Sequence, residues 1–304
     1  MKFPRPPGAD SRNSDNFMRL SILIVNWNTK ELVRKCLNSV LENPPAGDFE
    51  AVVVDNNSSD GSKEILQKEF GAEKRVKLIF SDKNLGFAAG NNLAYKYSSG
   101  DYILLLNPDT EVGAGALGEL VNYLDGKPDV GIAGPKLLNP DGSLQPSVRR
   151  FPDLWSSMLV FSGLHRIFRP KRYLMDGFDC AREQEVDQVM GAALMTRRKI
   201  VERVGLFDEK FFLWYEEVDF CKRVKRVSYK VMYYPEVEIT HHTAQSFSQL
   251  QLWDRKKTAA RSLLYYFRKN GNAPEVVLLY LMMPPVLLIA WLLSGFGIKN
   301  RIKV

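Results

Sequence analysis

Cysteine and histidine are scarce in this 304-residue chain, with three of each. Cys36, Cys180 and Cys221 are odd in number and widely spaced, which excludes a disulfide framework, fits a reducing compartment and offers no cysteine-based metal spacing. The start, Met1 to Phe17, lacks an apolar segment, so it does not read as a secretory signal; residues 1–18 read as a flexible arm. No Walker-type phosphate loop occurs. Gly113-Ala114-Gly115-Ala116-Leu117-Gly118 fits the dinucleotide glycine pattern, but it begins in the loop well beyond Leu106, and that fingerprint requires strand, tight turn and helix without interruption. Net charge is also absent from most of the chain. Residues 254–304 hold nine Lys or Arg against two acids, which accounts for the whole +7, and the remainder balances at 33 against 33. The basicity therefore belongs to a tail facing an anionic surface, and a nucleic-acid groove across the main domain is not expected.

What is present is an ordinary globular composition, 45% hydrophobic and 25% charged. Apolar runs at Leu20 to Val25, Ala51 to Val54, Val76 to Phe80 and Tyr102 to Leu106 read as strands. Between them, Glu31 to Leu41, Ser62 to Phe70 and Phe87 to Tyr97 read as helices. Strands too apolar to alternate imply a mostly parallel sheet flanked by helices on both faces, an α/β fold. Asp60 or Ser62 is a suitable cap for the second helix. After Asp109 the rhythm breaks. Val130 to Ala133 reads as a strand, and Gly134 to Pro146 as a turn-rich stretch around Asn139-Pro140-Asp141-Gly142. Residues 147–172 mix aromatics with Arg149, Arg150, Arg169, Lys171 and Arg172; they suit either an anionic interface or a solvated helical excursion packed on the core.

Asn107-Pro108-Asp109 places a carboxylate where a buried strand emerges. Ligands of open α/β sheets settle beyond the carboxyl ends of the strands, so this loop can hold a divalent cation against a diphosphate; the same tripeptide also makes a good turn. The string Asp55-Asn56-Asn57-Ser58-Ser59-Asp60-Gly61 can bond a base and ribose, or simply cap a turn. Asn84 to Asn92 is rich in small residues that let a helix end approach phosphate or sugar. Trp214-Tyr215-Glu216-Glu217-Val218-Asp219 gathers three carboxylates beside aromatics, where repulsion and desolvation raise pKa toward a general base. His241 and His242 are adjacent, and a neutral imidazole near Asp109 could complete a metal shell.

These motifs, with Ser21 to Asn28, Gly191-Ala192-Ala193-Leu194-Met195 and Gly205-Leu206-Phe207-Asp208-Glu209, occur in the order seen in family 2 glycosyltransferases. Over residues 20–246 the chain resembles the rhamnosyltransferase-like branch that builds bacterial surface polysaccharides. The resemblance implies a GT-A fold with a Rossmann-like sheet, a nucleoside-diphosphate sugar donor, a divalent cation (Mn or Mg) and inversion at the anomeric carbon. By position it implies that Asn26, Asp55, Asn57, Ser58, Asn84, Gly86, Asn91 and Asn107 serve the nucleotide-sugar. Asp109 and His241 serve the metal, Gly191 and Trp214 the acceptor side, and Glu217, with Glu216 as fallback, acts as base. Asn107 stands where the family's signature begins with Asp, Glu217 where the base is usually Asp, and Thr243-Ala244-Gln245 where glycines are usual.

The expected organisation is a glycosyltransferase domain at 19–250, with a nucleotide half at 19–110 and an acceptor half at 111–250, followed by a basic helical and hydrophobic tail at 251–304. Val276 to Ile298 carries no charge over 23 positions, long enough to cross a bilayer. Pro284-Pro285 interrupts it, and bases flank both ends, which predicts a kinked or re-entrant hairpin on the cytoplasmic face of the bacterial inner membrane. The expected acceptor is lipid-linked or polysaccharide. A sugar nucleotidyltransferase and a catalytically dead, membrane-anchored glycan-binding protein are the alternatives.

Overall fold

The computed structural model describes residues 20–242 and 251–295. The expected arm at 1–18, the stretch Thr243 to Ser246 and the last nine residues of the tail lie outside these. Strands β1 (Leu20–Asn26), β2 (Phe49–Asp55), β3 (Val76–Phe80) and β4 (Tyr102–Leu106) pair in parallel in the order β3-β2-β1-β4. Helices α1 (Lys30–Glu42), α2 (Ser62–Phe70) and α3 (Phe87–Lys96) connect them. The lack of alternation in these strands has a direct cause. Leu23, Val25, Val52 and Val54 pack into one core, whereas Ile22, Ile24, Ala51 and Val53 pack into another on the opposite face. Each fully buried Val or Ile there contributes about 1.5–3 kcal/mol relative to exposure. Asp60 caps two helices together: its carboxylate accepts from Lys30 N (2.8 Å) at the start of α1 and from Ser62 N (3.0 Å) at the start of α2.

Beyond β4 the sheet continues, but not in sequence order. After β5 (Thr110–Val112), helix α4 (Ala116–Gly126) leads to β6 (Val130–Leu138). Strand β11 (Ala193–Arg197) enters antiparallel between β4 and β6, β12 (Lys230–His241) runs parallel to β6, and β5 closes the edge on β12. The glycine pattern at 113–118 thus follows an antiparallel edge strand. Short strands β7 (Leu144–Gln145) and β9 (Gln184–Glu185) extend β6 and β12, and β8 (Val148–Arg149) pairs with β10 (Gln188–Val189). Helices α5 (Leu154–Ser162) and α6 (Lys171–Leu174) form the excursion, α7 (Arg198–Val204) follows β11, and α8 (Glu216–Arg226) precedes β12.

Two expectations require correction. Gly134 to Leu138 is strand, not turn. A side chain at Gly134 would lie 2.6 Å from the Val189 Cβ, so glycine there serves close packing of β10. Pro135 is tolerated because the β6–β12 ladder shifts register between Tyr234 and Glu238. The tail is not a hairpin. After α9 (Leu252–Asn270), α10 (Ala273–Gly295) runs through both prolines as one helix. The helix packs along α9 and α5, with Leu279 and Met283 buried, which offsets the donors lost at the prolines.

Candidate active site

The carboxyl ends of β1, β2 and β4 form the floor. Asn26 and Asp55 are register partners, and Asn26 Nδ2 donates to Asp55 Oδ1 (2.9 Å) and Ser58 Oγ (3.2 Å). Asp55 Oδ2 accepts from Ser58 N (3.0 Å), so this buried carboxylate shapes the loop that follows β2. Asn57, exposed with φ +62°, and half-buried Ser58 form the loop's outer rim. Asn56, which sequence reasoning did not single out, bridges two loops. Its amide donates to Asn84 Oδ1 (3.0 Å) and Gly86 O (3.1 Å) and accepts from Leu85 N (2.9 Å). Asn91 turns inward and donates to Phe87 O (2.9 Å) within α3.

At the end of β4, Asn107 N donates to Ala192 O (2.9 Å), and Thr110 Oγ1 donates to Asn107 O (2.8 Å), fixing the turn. Cys36 supports the same carbonyl from beneath, and burial pushes its thiol up to about 12. Asn107 Oδ1 is buried without a partner among the described residues. Asp109, only 5% exposed, lies with Oδ1 3.2 Å from His241 Nε2. His242 N, on the adjoining edge, donates to Asp109 O (2.8 Å).

The network fixes the tautomer of His241. Gln145 Nε2 donates to Asn139 Oδ1 (2.9 Å) and His241 O (3.3 Å), which turns Gln145 Oε1 toward His241 Nδ1 at 2.6 Å. Nδ1 must then carry the proton. In the neutral ring the Nε2 lone pair meets the Asp109 carboxylate, two electron-rich atoms that need a proton or a cation between them. Adjacent ligands of an octahedral ion at about 2.1 Å lie about 3 Å apart, so this pair fits a divalent cation. Among the described residues no cluster of three or more His, Cys, Asp or Glu occurs, so the chain offers this pair rather than a complete shell.

Glu216 and Glu217 open α8 under strain. Trp214 (φ +67°) and Tyr215 (φ +73°) both occupy the left-handed region, at a cost of about 1–3 kcal/mol each. Helix α9 holds them there: Ser262 Oγ donates to Leu213 O (2.7 Å), and the Tyr266 ring lies 5.4 Å from that of Tyr215. Glu216 Oε2 and Glu217 Oε2 are both buried without partners among the described residues. Burial raises both carboxyls, and repulsion between them couples the two titrations, so the pair holds a proton at a pH where free carboxylates have lost theirs. The third acid of the string does not share this state. Asp219 is fully buried and paired with Arg223 (2.8 Å) and Lys269 (3.0 Å).

Gly191 brings these parts together. A side chain there would sit 3.5 Å from the Glu217 Cβ and 3.7 Å from the Phe87 ring, and the next residue, Ala192, is the one that receives Asn107 N. Helix α8, the entry to β11 and the turn at 107–109 therefore meet across Gly191 and Ala192. Gly86 adds a second tie, since Phe87 N donates to Phe212 O (2.8 Å) just ahead of Trp214.

A mostly parallel sheet with loops gathered at the carboxyl ends of its strands is a frame that binds its ligand there. Residues 21–205 match Glycosyl transferase family 2, and the chain belongs to that family. Within it the likeness is to rhamnosyltransferases. The chain is 28% identical over 213 residues to the N-acetylglucosaminyl-diphospho-decaprenol L-rhamnosyltransferase of Mycobacterium tuberculosis, covering 64% of this chain and 67% of that one. It is also 28% identical over 252 residues to rhamnosyltransferase WbbL of Escherichia coli K12, covering 78% and 90%. Among solved structures, the mannosyltransferase PcManGT of Pyrobaculum calidifontis, in complex with GDP-Man and Mn2+, superposes with TM-score 0.58 at 18% identity, covering 95% of this chain and 77% of that one. The protein is a glycosyltransferase with a GT-A-like fold.

Proposed function

We propose that the enzyme inverts the anomeric centre as it moves rhamnose or another hexose from a nucleoside-diphosphate donor to a lipid-linked or polysaccharide acceptor in cell-surface glycan synthesis. The observation that carries this reading is the meeting of the Asn107–Asp109 turn with Glu217 through Gly191 and Ala192. In this assignment the loops at 55–58 and 84–86 receive the nucleotide, with Asn26, Asp55 and Asn91 holding them in shape. Asp109 and His241 would hold Mn or Mg, which supplies neutralisation of the departing diphosphate. The Asn107 amide is placed to bond the donor. Glu217 takes the proton of the acceptor hydroxyl, and the absence of a side chain at Gly191 leaves room beside it. The strained Trp214 sets the wall of the acceptor side, and repulsion within the buried Glu216 and Glu217 pair favours a single charge there. The nucleotide half at 19–110 and the acceptor half at 111–250 share one sheet, which keeps donor and base in fixed register.

The membrane surface enters through the tail. Helix α10 is 23 residues long, about 34 Å, and apolar enough to cross a bilayer. Leu281 is 68% and Ile289 57% exposed. Attachment at the cytoplasmic face of the bacterial inner membrane would place the enzyme where lipid-linked acceptors are used.

Replacing Asp109 with Ala tests the reading. Turnover should fall at least about a hundredfold, and the dependence of nucleotide binding on Mn should vanish while circular dichroism is unchanged. Retained metal-dependent turnover would refute the assignment. Released nucleoside diphosphate is the expected product, and released pyrophosphate would establish a nucleotidyltransferase instead.

A further inference from the structure

Helix α10 has the length and apolarity of a membrane span, but it is fastened along one side. Val276, Leu279, Met283, Val286 and Ala290 recur at intervals of three and four, and this stripe turns into the protein. Such a seam has the repeat of a packed helix pair. The partner is α9, which runs antiparallel to it. Near the connecting turn the Arg268 guanidinium lies 5.5 Å from the Tyr280 ring, and at the far end Trp253 N donates to Ser294 Oγ (2.9 Å). The two helices therefore lie side by side over about 15 residues, or about 22 Å.

Helix α9 is no companion for a membrane span. Asp254, Lys257, Arg261 and Arg268 are exposed along one stripe of it, spaced i, i+3, i+7 and i+14. Its other side is tied to the catalytic domain, where Ser262 Oγ donates to Leu213 O (2.7 Å) and Lys269 pairs with Asp208 (2.7 Å). Standing α10 upright in a bilayer would either carry that charged stripe to membrane depth or strip the seam from α10. Laid flat, the helix keeps both. The lack of charge from Val276 to Gly295 then has a cause: one side of α10 meets protein, and the other, where Leu281 is 68% and Leu288 57% exposed, meets lipid.

The excursion supplies a second contact. Helix α5 packs against α10, and Trp155 (65%), Ile167 (74%) and Phe168 (60%) stand exposed on it or just beyond it, among the exposed bases Arg166, Lys171 and Arg172. Bulky apolar side chains among bases suit an anionic headgroup layer. We infer that α10 lies in the plane of an anionic lipid surface and does not cross it, with α9 along its protein side and Trp155, Ile167 and Phe168 inserting beside it. The inference rests on the membrane attachment proposed above and gives its topology. Charge complementarity favours lipid as the occupant, since residues 254–304 carry the whole +7.

The test uses the full chain on vesicles of phosphatidylglycerol and phosphatidylcholine. A nitroxide is attached at Leu281→Cys or Leu288→Cys in a Cys180→Ser background, the other two cysteines being buried. The two labelled positions share a face of the helix and lie about 10 Å apart along its axis. Depth, read from collisions with oxygen and a nickel chelate, should be the same at both. A difference near 10 Å would mean a helix standing in the bilayer and would overturn the inference. Labels shielded from both reagents would also overturn it, by assigning the face to a second copy of the chain. The Ile167→Ser/Phe168→Ser double variant should bind the vesicles at least about tenfold more weakly, because two apolar side chains lose their burial in lipid. Unchanged affinity would overturn the role of the excursion. If the double variant unfolds, as judged by circular dichroism, Trp155→Ser must show the loss, and a folded variant without it has the same consequence. A wild-type chain that ignores vesicles would sink the attachment itself, whereas bound chain with unequal depths sinks only the topology. Position and binding are read without turnover, so the outcome is independent of the Asp109 test.

Discussion

Glu217→Gln removes one proton-accepting charge with almost no change of shape, and the structure gives it two signatures. The first is kinetic. A positioned general base contributes about 10²–10⁴-fold, or about 3–5 kcal/mol of barrier, so the single-turnover transfer rate should fall by that factor while donor affinity, set by the loops at 55–58 and 84–86 and by Asp109, stays within twofold. The second is thermodynamic. Burial raises the Glu217 carboxyl above its unfolded value, so between those two values the folded state holds a proton that the unfolded state has lost. Stability therefore declines as pH rises through that window, by about 1.4 kcal/mol for each unit of separation. The Gln variant lacks this decline and should be stabilised relative to wild type above the window and unchanged below it. Glu216→Gln is the control. Glu217, not Glu216, lies against Gly191 where helix α8 meets the 107–109 turn, so replacement of Glu216 should leave the rate within about tenfold. Rapid-quench assays and thermal melts from pH 4 to 9 report both. A Glu217→Gln enzyme that turns over within tenfold of wild type, or a Glu216→Gln enzyme that does not, would refute the assignment.

Two further substitutions probe the frame. Gly86→Ala would place a Cβ 2.4 Å from Phe212 O at a φ of +83°, which costs about 1–3 kcal/mol and should lower the melting temperature by about 2–4 °C per kcal/mol. Because Phe212 leads into the Glu217 helix, the transfer rate should drop as well; an unchanged rate in a destabilised protein would show that this tie is structural only. Leu281→Asp with Ile289→Asp puts two charges on the exposed side of α10, each costing about 2.5–3.5 kcal/mol at a bilayer centre, so flotation with lipid vesicles should be lost without loss of fold. Undiminished flotation would rule out attachment through this helix.

The first four strands and three helices were legible because each is a local pattern: Ile22 and Leu23 need only lie on opposite faces of a covered sheet to appear as an uninterrupted apolar run. The Asp109 and His241 partnership was readable as chemistry but not as distance, since 132 positions of chain separate the two and their meeting depends on β12 reaching the β5 edge. Gln145 carried no signal at all. It lies in a turn-rich stretch, and its value comes only from facing His241 Nδ1 across that edge. The insertion of β11 between β4 and β6 was hidden for the same reason, as strand order is decided by tertiary packing and not by local composition. At Pro284-Pro285 the local rule was outweighed by helix packing.

Helix α9 does more than lead into α10. Through Ser262, Tyr266 and Lys269 it clamps the two strained residues and the buried acid that set the direction of α8. A chain shortened between Gly271 and Ala273 should therefore keep the direction of α8, whereas severing it earlier would discard the splint along with α10 and leave Glu217 misaligned.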